Sequence, residues 1–473
     1  MKVLFATSEA HPYAMSGGLA DVSGALPKAL RTRLIGARVI MPLYDVIPQQ
    51  LRESMKFITS ITVPVSWRRQ YCGIFEAKYG NVIYYFIDNQ YYFKRGSLYG
   101  HYDDAERFAF FSRAVLEVIK AIDFAPDIIH CNDWQTALIP VYLRLFYGNE
   151  PKMQNIKTLF TIHNIQYQGK FGKEILGDVF GIPQSEQSLV EYGDCINLMK
   201  GAIECAHLVS TVSPTYSNEI LDPWYSHGLD SILRQRRWKL TGIVNGIDTD
   251  VYDPEHDSMI FAPYSADDLS GKAENKRKLQ EMLGLPQCSD VPLIAMVSRL
   301  VPHKGLDLVK ARLDAIMHYG VQMVVLGSGD YEYESFLGEV AERYPDSFRL
   351  RTGFIPDLAH KIYAGSDIFL MPSQSEPCGL SQMVALRYGS IPVVRETGGL
   401  KDTVTDSGTG DGNGFTFAEY NADAMAHAVY RAVQGYENRE GWSILQKRAM
   451  QCDNSWGASA NAYIRLYKSM LKK

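Results

Sequence analysis

The chain has 473 residues, more than one ordinary domain core holds, and this length suits two large α/β halves. Hydrophobic residues make up 46% and charged residues 21%, which excludes a disordered chain. Lys+Arg 48 against Asp+Glu 53 gives a formal charge of −5, the wrong sign for a dedicated nucleic-acid binder.

The elements follow in chain order. Val3–Thr7 reads as a strand that leads through Ser16-Gly17-Gly18-Leu19 into a helix over Ala20–Leu30, where apolar residues recur at helical spacing. The apolar run at the N-terminus is too short for a signal peptide. Residues 45–105 read as inserted, hairpin-like strands (Phe57–Val65, Val82–Ile87) with a Tyr-rich loop. Further strands are predicted at Asp127–His130, Thr158–Ile162, Leu208–Val212 and Thr241–Val244. The second half repeats the theme. Pro292–Ser298 is a strand, His303-Lys304-Gly305 a loop and Leu306–His318 a helix, with later strands at Met323–Leu326, Arg349–Thr352, Ile368–Met371 and Pro392–Val394. Ser455–Lys473 carries an apolar stripe (Trp456, Tyr463, Leu466, Met470, Leu471) and reads as a terminal helix.

Strands alternating with helices predict doubly wound parallel sheets. The expected division is a first domain over 1–244, a second over 245–454, and a C-terminal helix, 455–473, packing back on the first. In such sheets ligands bind outside the carboxyl ends of the strands, so a cleft between two such domains is the expected site. No stretch reaches the apolar length of a membrane span. Seven scattered cysteines without CxxC spacing predict neither a disulfide framework nor a zinc site, and the expectation is a cytoplasmic protein.

Several strand ends carry candidate chemistry. Gly17-Gly18 between a strand and a helix serves either as a tight turn or as backbone donors for an anion. It is not a dinucleotide fingerprint, because Leu19-Ala20-Asp21 follow. Arg299 and Lys304, after the strand ending at Ser298, form either a solvated loop or a diphosphate clamp. Glu376 in Pro372–Leu380 sits at an apparent helix start, where a carboxylate is favoured in any case, or acts as a positioned acid at the cleft. Thr397-Gly398-Gly399-Leu400 again offers backbone donors. Asp133 and His163 cap predicted strands, where such residues are structural or belong to a shared polar cleft. Asp248-Thr249-Asp250 reads as an Asx-rich turn, and no metal site is expected.

Taken in order, these segments resemble the bacterial glycogen synthase family of starch-synthase-like glucosyltransferases. The carriers are Gly17–Val22, Asp104–Phe108, His130–Trp134, Thr161–Asn164, Gln166–Gly169, Val212–Tyr216, Gly228–Asp230, Asn245–Asp248, Arg299 with Lys304–Asp307, and Glu376–Leu380. The resemblance implies two facing Rossmann-like domains of the GT-B type. It implies transfer of glucose from ADP-glucose to the non-reducing end of an α-1,4-glucan, with retention of configuration and without metal or cofactor. The implied partners are therefore ADP-glucose and glucan, with no nucleic acid or membrane; the oligomeric state is not legible.

By the same resemblance, Arg299 and Lys304 bind the donor diphosphate and Glu376 lies near the transferring glucose with Cys378, Gly379 and Leu380. His163 and Asp133 contact the sugar, and Thr397, Gly398 and Gly399 face the phosphates. Ser16, Gly17 and Gly18 bind phosphate through their loop, while Glu9, Tyr99 and Asn245 are further donor or acceptor contacts. No second carboxylate is placed as a nucleophile, which favours same-face attack. Two positions depart from the family pattern: Met15 stands where a lysine is common, and Gln374-Ser375 where Arg-Phe is common. Met15 leaves open a UDP-glucose donor, another acceptor, or a degenerate glucan-binding regulatory protein on the same scaffold.

Overall fold

The computed structural model describes residues 1–472; Lys473, the last residue of the predicted terminal helix, lies outside them. The chain divides into two units. The first consists of Met1–Val212, Ser217–Ile243 and the C-terminal helix from Trp456; the second consists of Ser213–Tyr216 and Val244–Ser455.

In the first unit the strands are β1 Lys2–Ala6, β2 Gly36–Pro42, β3 Lys56–Val65, β4 Arg68–Tyr79, β5 Val82–Asp88, β6 Ile128–Asn132, β7 Lys157–Ile162, β8 Lys170–Phe171, β9 Glu191–Tyr192, β10 Cys195–Asn197, β11 Leu208–Thr211 and β12 Leu240–Gly242. Nine of them form one sheet in the order β12-β11-β7-β6-β1-β2-β5-β4-β3. It is parallel except where β4 pairs antiparallel with β3 and β5. A smaller antiparallel sheet, β8-β10-β9, completes the set. Val3, Leu4, Phe5 and Ala6 in β1 are all fully buried, as expected of a parallel strand covered on both faces.

The terminal helix, Trp456–Leu471, buries Trp456, Ala460, Tyr463, Tyr467 and Met470, spaced by three or four residues. This corrects the predicted stripe: Leu471 is 41% exposed, and the helical period places Tyr467 on the buried face instead. Tyr467 Oη meets His130 Nδ1 at 2.8 Å, and His130 Nε2 lies 2.6 Å from Thr161 Oγ1, so the helix is keyed to β6 and β7.

The second unit has β13 Leu293–Val297, β14 Gln322–Gly327, β15 Phe348–Thr352, β16 Ile368–Met371, β17 Ile391–Arg395 and β18 Phe415–Phe417. They form one parallel sheet in the order β15-β14-β13-β16-β17-β18. Chain order reverses between β13 and β16, the topology of a Rossmann sheet, in which ligands sit at the carboxyl ends of the strands flanking the reversal. In the first unit the corresponding reversal lies between β1 and β6, both of which pair with parallel neighbours.

Candidate active site

In the first unit the loops leaving β1, β6 and β7 carry the polar residues. Glu9, three residues beyond β1, is almost fully buried. Its carboxylate accepts the Ser16 N–H at 2.5 Å, the Gly17 N–H at 3.3 Å and the Ser16 hydroxyl at 3.0 and 3.1 Å. Tyr99 donates its hydroxyl to the same carboxylate at 3.1 Å and meets Ser8 Oγ at 2.7 Å. Burial still raises the Glu9 pKa against these donors. This corrects one expectation: the first two backbone donors of the glycine loop are taken by an internal carboxylate. What remains open is the outer side, since a Cβ on Gly17 or Gly18 would meet no atom within 4 Å. Gly17 also starts the helix Gly18–Arg31 without a side-chain cap. Met15 is 58% exposed, with Sδ 3.1 Å from His11 Nδ1.

Asp133, directly after β6, has φ 54° and ψ −178°, a region that costs a non-glycine residue on the order of 1–3 kcal/mol. Its backbone N–H donates to the Thr161 carbonyl at 3.0 Å, and its Oδ1 accepts the His163 N–H at 2.8 Å, so β6 and β7 together hold the strained geometry. Burial raises the Asp133 pKa to about 7, opposed by backbone donors at His163 and Asn164. His163, just beyond β7, is held neutral by burial, with its pKa lowered to about 3.

In the second unit the loops after β13 and β16 meet. Lys304 Nζ lies 2.5 Å from Glu376 Oε2, and Ser373 Oγ donates to the same oxygen at 3.1 Å. Glu376 Oε1 makes no hydrogen bond among the described residues. The Gln374 N–H donates to the His303 carbonyl at 2.9 Å, tying the two loops together. Gly305 permits the contact: it has φ +77°, and a Cβ there would stand 2.1 Å from the Pro372 oxygen. Arg299 is exposed, and its side chain has no ion pair among the described residues. Two cations and one carboxylate thus gather at the strand-order reversal.

Cys378 is buried, which pushes its thiol pKa up to about 12, so it is packing rather than a nucleophile; the Asn245 N–H points at its sulfur. Asn245 Oδ1 is buried without a hydrogen-bond partner among the described residues. Gly379 adopts φ +71° and Leu380 starts the helix Ser381–Arg387. Thr397, Gly398 and Gly399 lie behind the Glu376 loop, and the Gly399 N–H donates to the Glu376 and Pro377 carbonyls. Those glycines therefore brace the site, and Gly399 has no free donor for a phosphate. Asp248 Oδ1 accepts the Asp250 N–H at 3.0 Å, an Asx turn.

Sequence reasoning missed two exposed rings on this edge: Tyr331 beyond β14, 83% exposed, and Phe354 beyond β15, 93% exposed. β15 lies two strands from β13, about 10 Å at ordinary strand spacing. A bare aromatic at the carboxyl edge was the available signal. The Asp104–Phe108 segment also gains a role. Arg107 is fully buried, and bonds to Asp104 at 2.5 Å and to the Tyr92 and Leu98 carbonyls, while Asp104 accepts the Gly100 N–H. The pair clamps both flanks of Tyr99.

Comparison with known proteins places the chain in a family. Residues 2–235 match the starch synthase catalytic domain family, and residues 285–447 match the glycosyl transferases group 1 family. A glycogen synthase of Geobacillus thermodenitrificans is 51% identical over 477 aligned positions, covering 100% of this chain and 98% of that protein. The catalytic domain of starch synthase IV from Arabidopsis thaliana, solved bound to ADP and acarbose, superposes with TM-score 0.91 at 36% identity, covering 100% of this chain and 99% of that one. Sucrose-phosphate synthase from Thermosynechococcus elongatus shares the fold, with TM-score 0.62 at 17% identity over 100% of this chain and 99% of that one. With relatives this similar over its whole length, the chain belongs to the glycogen synthase family, the glucosyltransferases of glycogen synthesis.

Proposed function

We propose that the chain transfers glucose from ADP-glucose to the non-reducing end of an α-1,4-glucan, with the residues above in the following roles. Arg299 and Lys304 hold the donor diphosphate, Arg as a planar fork and Lys as a point charge. The open side of Gly17-Gly18, at the start of a helix, lies against the phosphates. Phe354 stacks on the adenine, a distance from Arg299 that suits the span from diphosphate to base. Asp133 and His163 take sugar hydroxyls, and Glu376 Oε1 faces the glucose as it gains positive charge.

The Lys304–Glu376 pair carries this reading. As the C1–O bond to the diphosphate breaks, negative charge collects on the leaving group and positive charge on the sugar. A cation and a carboxylate 2.5 Å apart are set to meet both. Lys304 also draws charge from Glu376 and makes it a poor nucleophile, which favours attack by the acceptor 4-hydroxyl on the face the diphosphate leaves. The proton of that hydroxyl passes to the departing phosphate oxygen, and the new glycosidic bond keeps the α configuration. The positive field comes from side chains and helix starts of the chain itself. Seven cysteines without a disulfide suit a reducing compartment, and the cytoplasm is the proposed location.

The test is turnover in Glu376→Gln and Lys304→Ala. A loss of two to three orders of magnitude is expected, the size seen when one electrostatic group is removed from a transition state. Turnover within tenfold of wild type in either folded variant would refute the assigned roles.

A further inference from the structure

Asn132, the last residue of β6, is fully buried and links the two halves of the first unit's polar set. Its Nδ2 donates to the Ala6 carbonyl at 2.9 Å and to the His130 carbonyl at 3.2 Å. Carbonyl oxygens accept only, so the amide nitrogen must face them and Oδ1 must face the other way. There Oδ1 meets His163 Nε2 at 2.9 Å. An amide oxygen also accepts only, so the hydrogen of that bond belongs to His163 Nε2. In a neutral imidazole the other nitrogen, Nδ1, is then bare.

We propose that Asn132 is a positioning residue that locks His163 in the Nε2–H tautomer and leaves Nδ1 as an obligate acceptor for a donating sugar hydroxyl. The sugar-facing half rests on the role proposed above for His163; the tautomer does not. The lock is rigid on both sides. The His163 N–H is fixed to Asp133 Oδ1 at 2.8 Å, and Asn132 is held by carbonyls of β1 and of its own strand. Burial, which holds His163 neutral, keeps a second proton off Nδ1. Of the titratable groups nearby, Asp133 accepts the His163 backbone N–H, Glu9 beyond β1 acts on Asp133, and His130 within β6, which interacts with His163, is itself held neutral by burial. The consequence is a specificity rule: an analogue with fluorine in place of the matched hydroxyl brings no hydrogen and is rejected.

Nitrogen-15 NMR of the full chain with ring-labelled histidine tests this, with His163 assigned through His163→Gln. The expected result at pH 7 is a neutral His163 protonated at Nε2, with the Nδ1 resonance moving toward a hydrogen-bonded acceptor when ADP-glucose is added. An Nδ1–H tautomer or a cation in the free protein overturns the lock. The correct tautomer with no response to ADP-glucose overturns the acceptor role and the sugar contact proposed for His163, while the lock stands.

A second readout is Asn132→Ala, which removes the oxygen that holds the Nε2 hydrogen. In this variant the ring-nitrogen resonances of His163 should move to a mixture of the two neutral tautomers, and kcat/KM for ADP-glucose should fall about tenfold, the scale of one hydrogen bond. An unchanged tautomer in the folded variant, or a deficit that persists unchanged in the His163→Gln background, means a merely structural role and overturns the proposal.

Discussion

Gly17-Gly18-Leu19 and Gly398-Gly399-Leu400 are the same tripeptide, and each opens a helix after a strand. Around the first pair there is space, with no atom within 4 Å of either missing Cβ. Around the second there is none. A Cβ on Gly398 would stand 1.9 Å from the Glu376 oxygen, and one on Gly399 2.0 Å from the Cys378 oxygen. The first pair is glycine although no neighbour among the described residues requires it, which fits a surface approached by a ligand. The second is glycine because two backbone segments touch there. The same motif after β1 and after β17 thus leaves an open helix start in one half and braces two backbone segments in the other.

The comparison breaks most readily at Gly399. Gly399→Ala must push the Glu376 loop away, at a cost of about 3 kcal/mol or more. The melting temperature should drop by roughly 6–12 °C, with glucosyl transfer falling about a hundredfold because Glu376 moves; calorimetry beside an initial-rate assay reads both. Gly17→Ala should do the reverse. Its melting temperature should stay within about 1 °C of wild type while the KM for ADP-glucose rises about tenfold, because the added methyl keeps the phosphates off the helix start. A Gly17→Ala protein that melts early with an unchanged KM would dissolve the distinction.

Asp133 sharpens the binding side. Its pKa is raised from 3.8 to about 7 in the folded chain, so the stability associated with its neutral form is present below pH 4 and is lost as pH rises through 7. Asp133→Asn should therefore raise the melting temperature at pH 8 and leave it nearly unchanged at pH 4, while weakening the sugar contact at both. Melting curves at the two pH values, with KM measured in parallel, check the sign. The smallest effect is expected at the terminal helix. Tyr467→Phe removes one buried hydrogen bond to His130, worth about 1 kcal/mol, and should leave KM for the donor unchanged.

Much of this was legible from residue order. Ile368–Met371 was read in full, because a buried parallel strand is a continuous apolar run. β4, Arg68–Tyr79, escaped notice because its outer face is solvated, and Arg68, Arg69, Gln70, Glu76 and Lys78 interrupt the apolar pattern. β18, only Phe415–Phe417, is too short to show a period. The strand-end residues were legible because parallel topology exports them to one edge. The capture of the Ser16 and Gly17 donors by Glu9 was not, since it depends on a side chain folding back over seven residues. Asn132 was hidden for a related reason: a buried amide in a strand looks structural until its acceptor side is traced to His163.

The central claim is that the chain's own cations and helix starts carry glucosyl transfer from ADP-glucose to glucan. The most direct test is incorporation of labelled glucose into glycogen in the presence of EDTA, with ADP-glucose and UDP-glucose supplied side by side. The account predicts α-1,4 transfer from ADP-glucose at a rate unaffected by EDTA, with UDP-glucose the poorer donor despite Met15. Transfer abolished by EDTA, or glycogen bound without transfer from either donor, would contradict it.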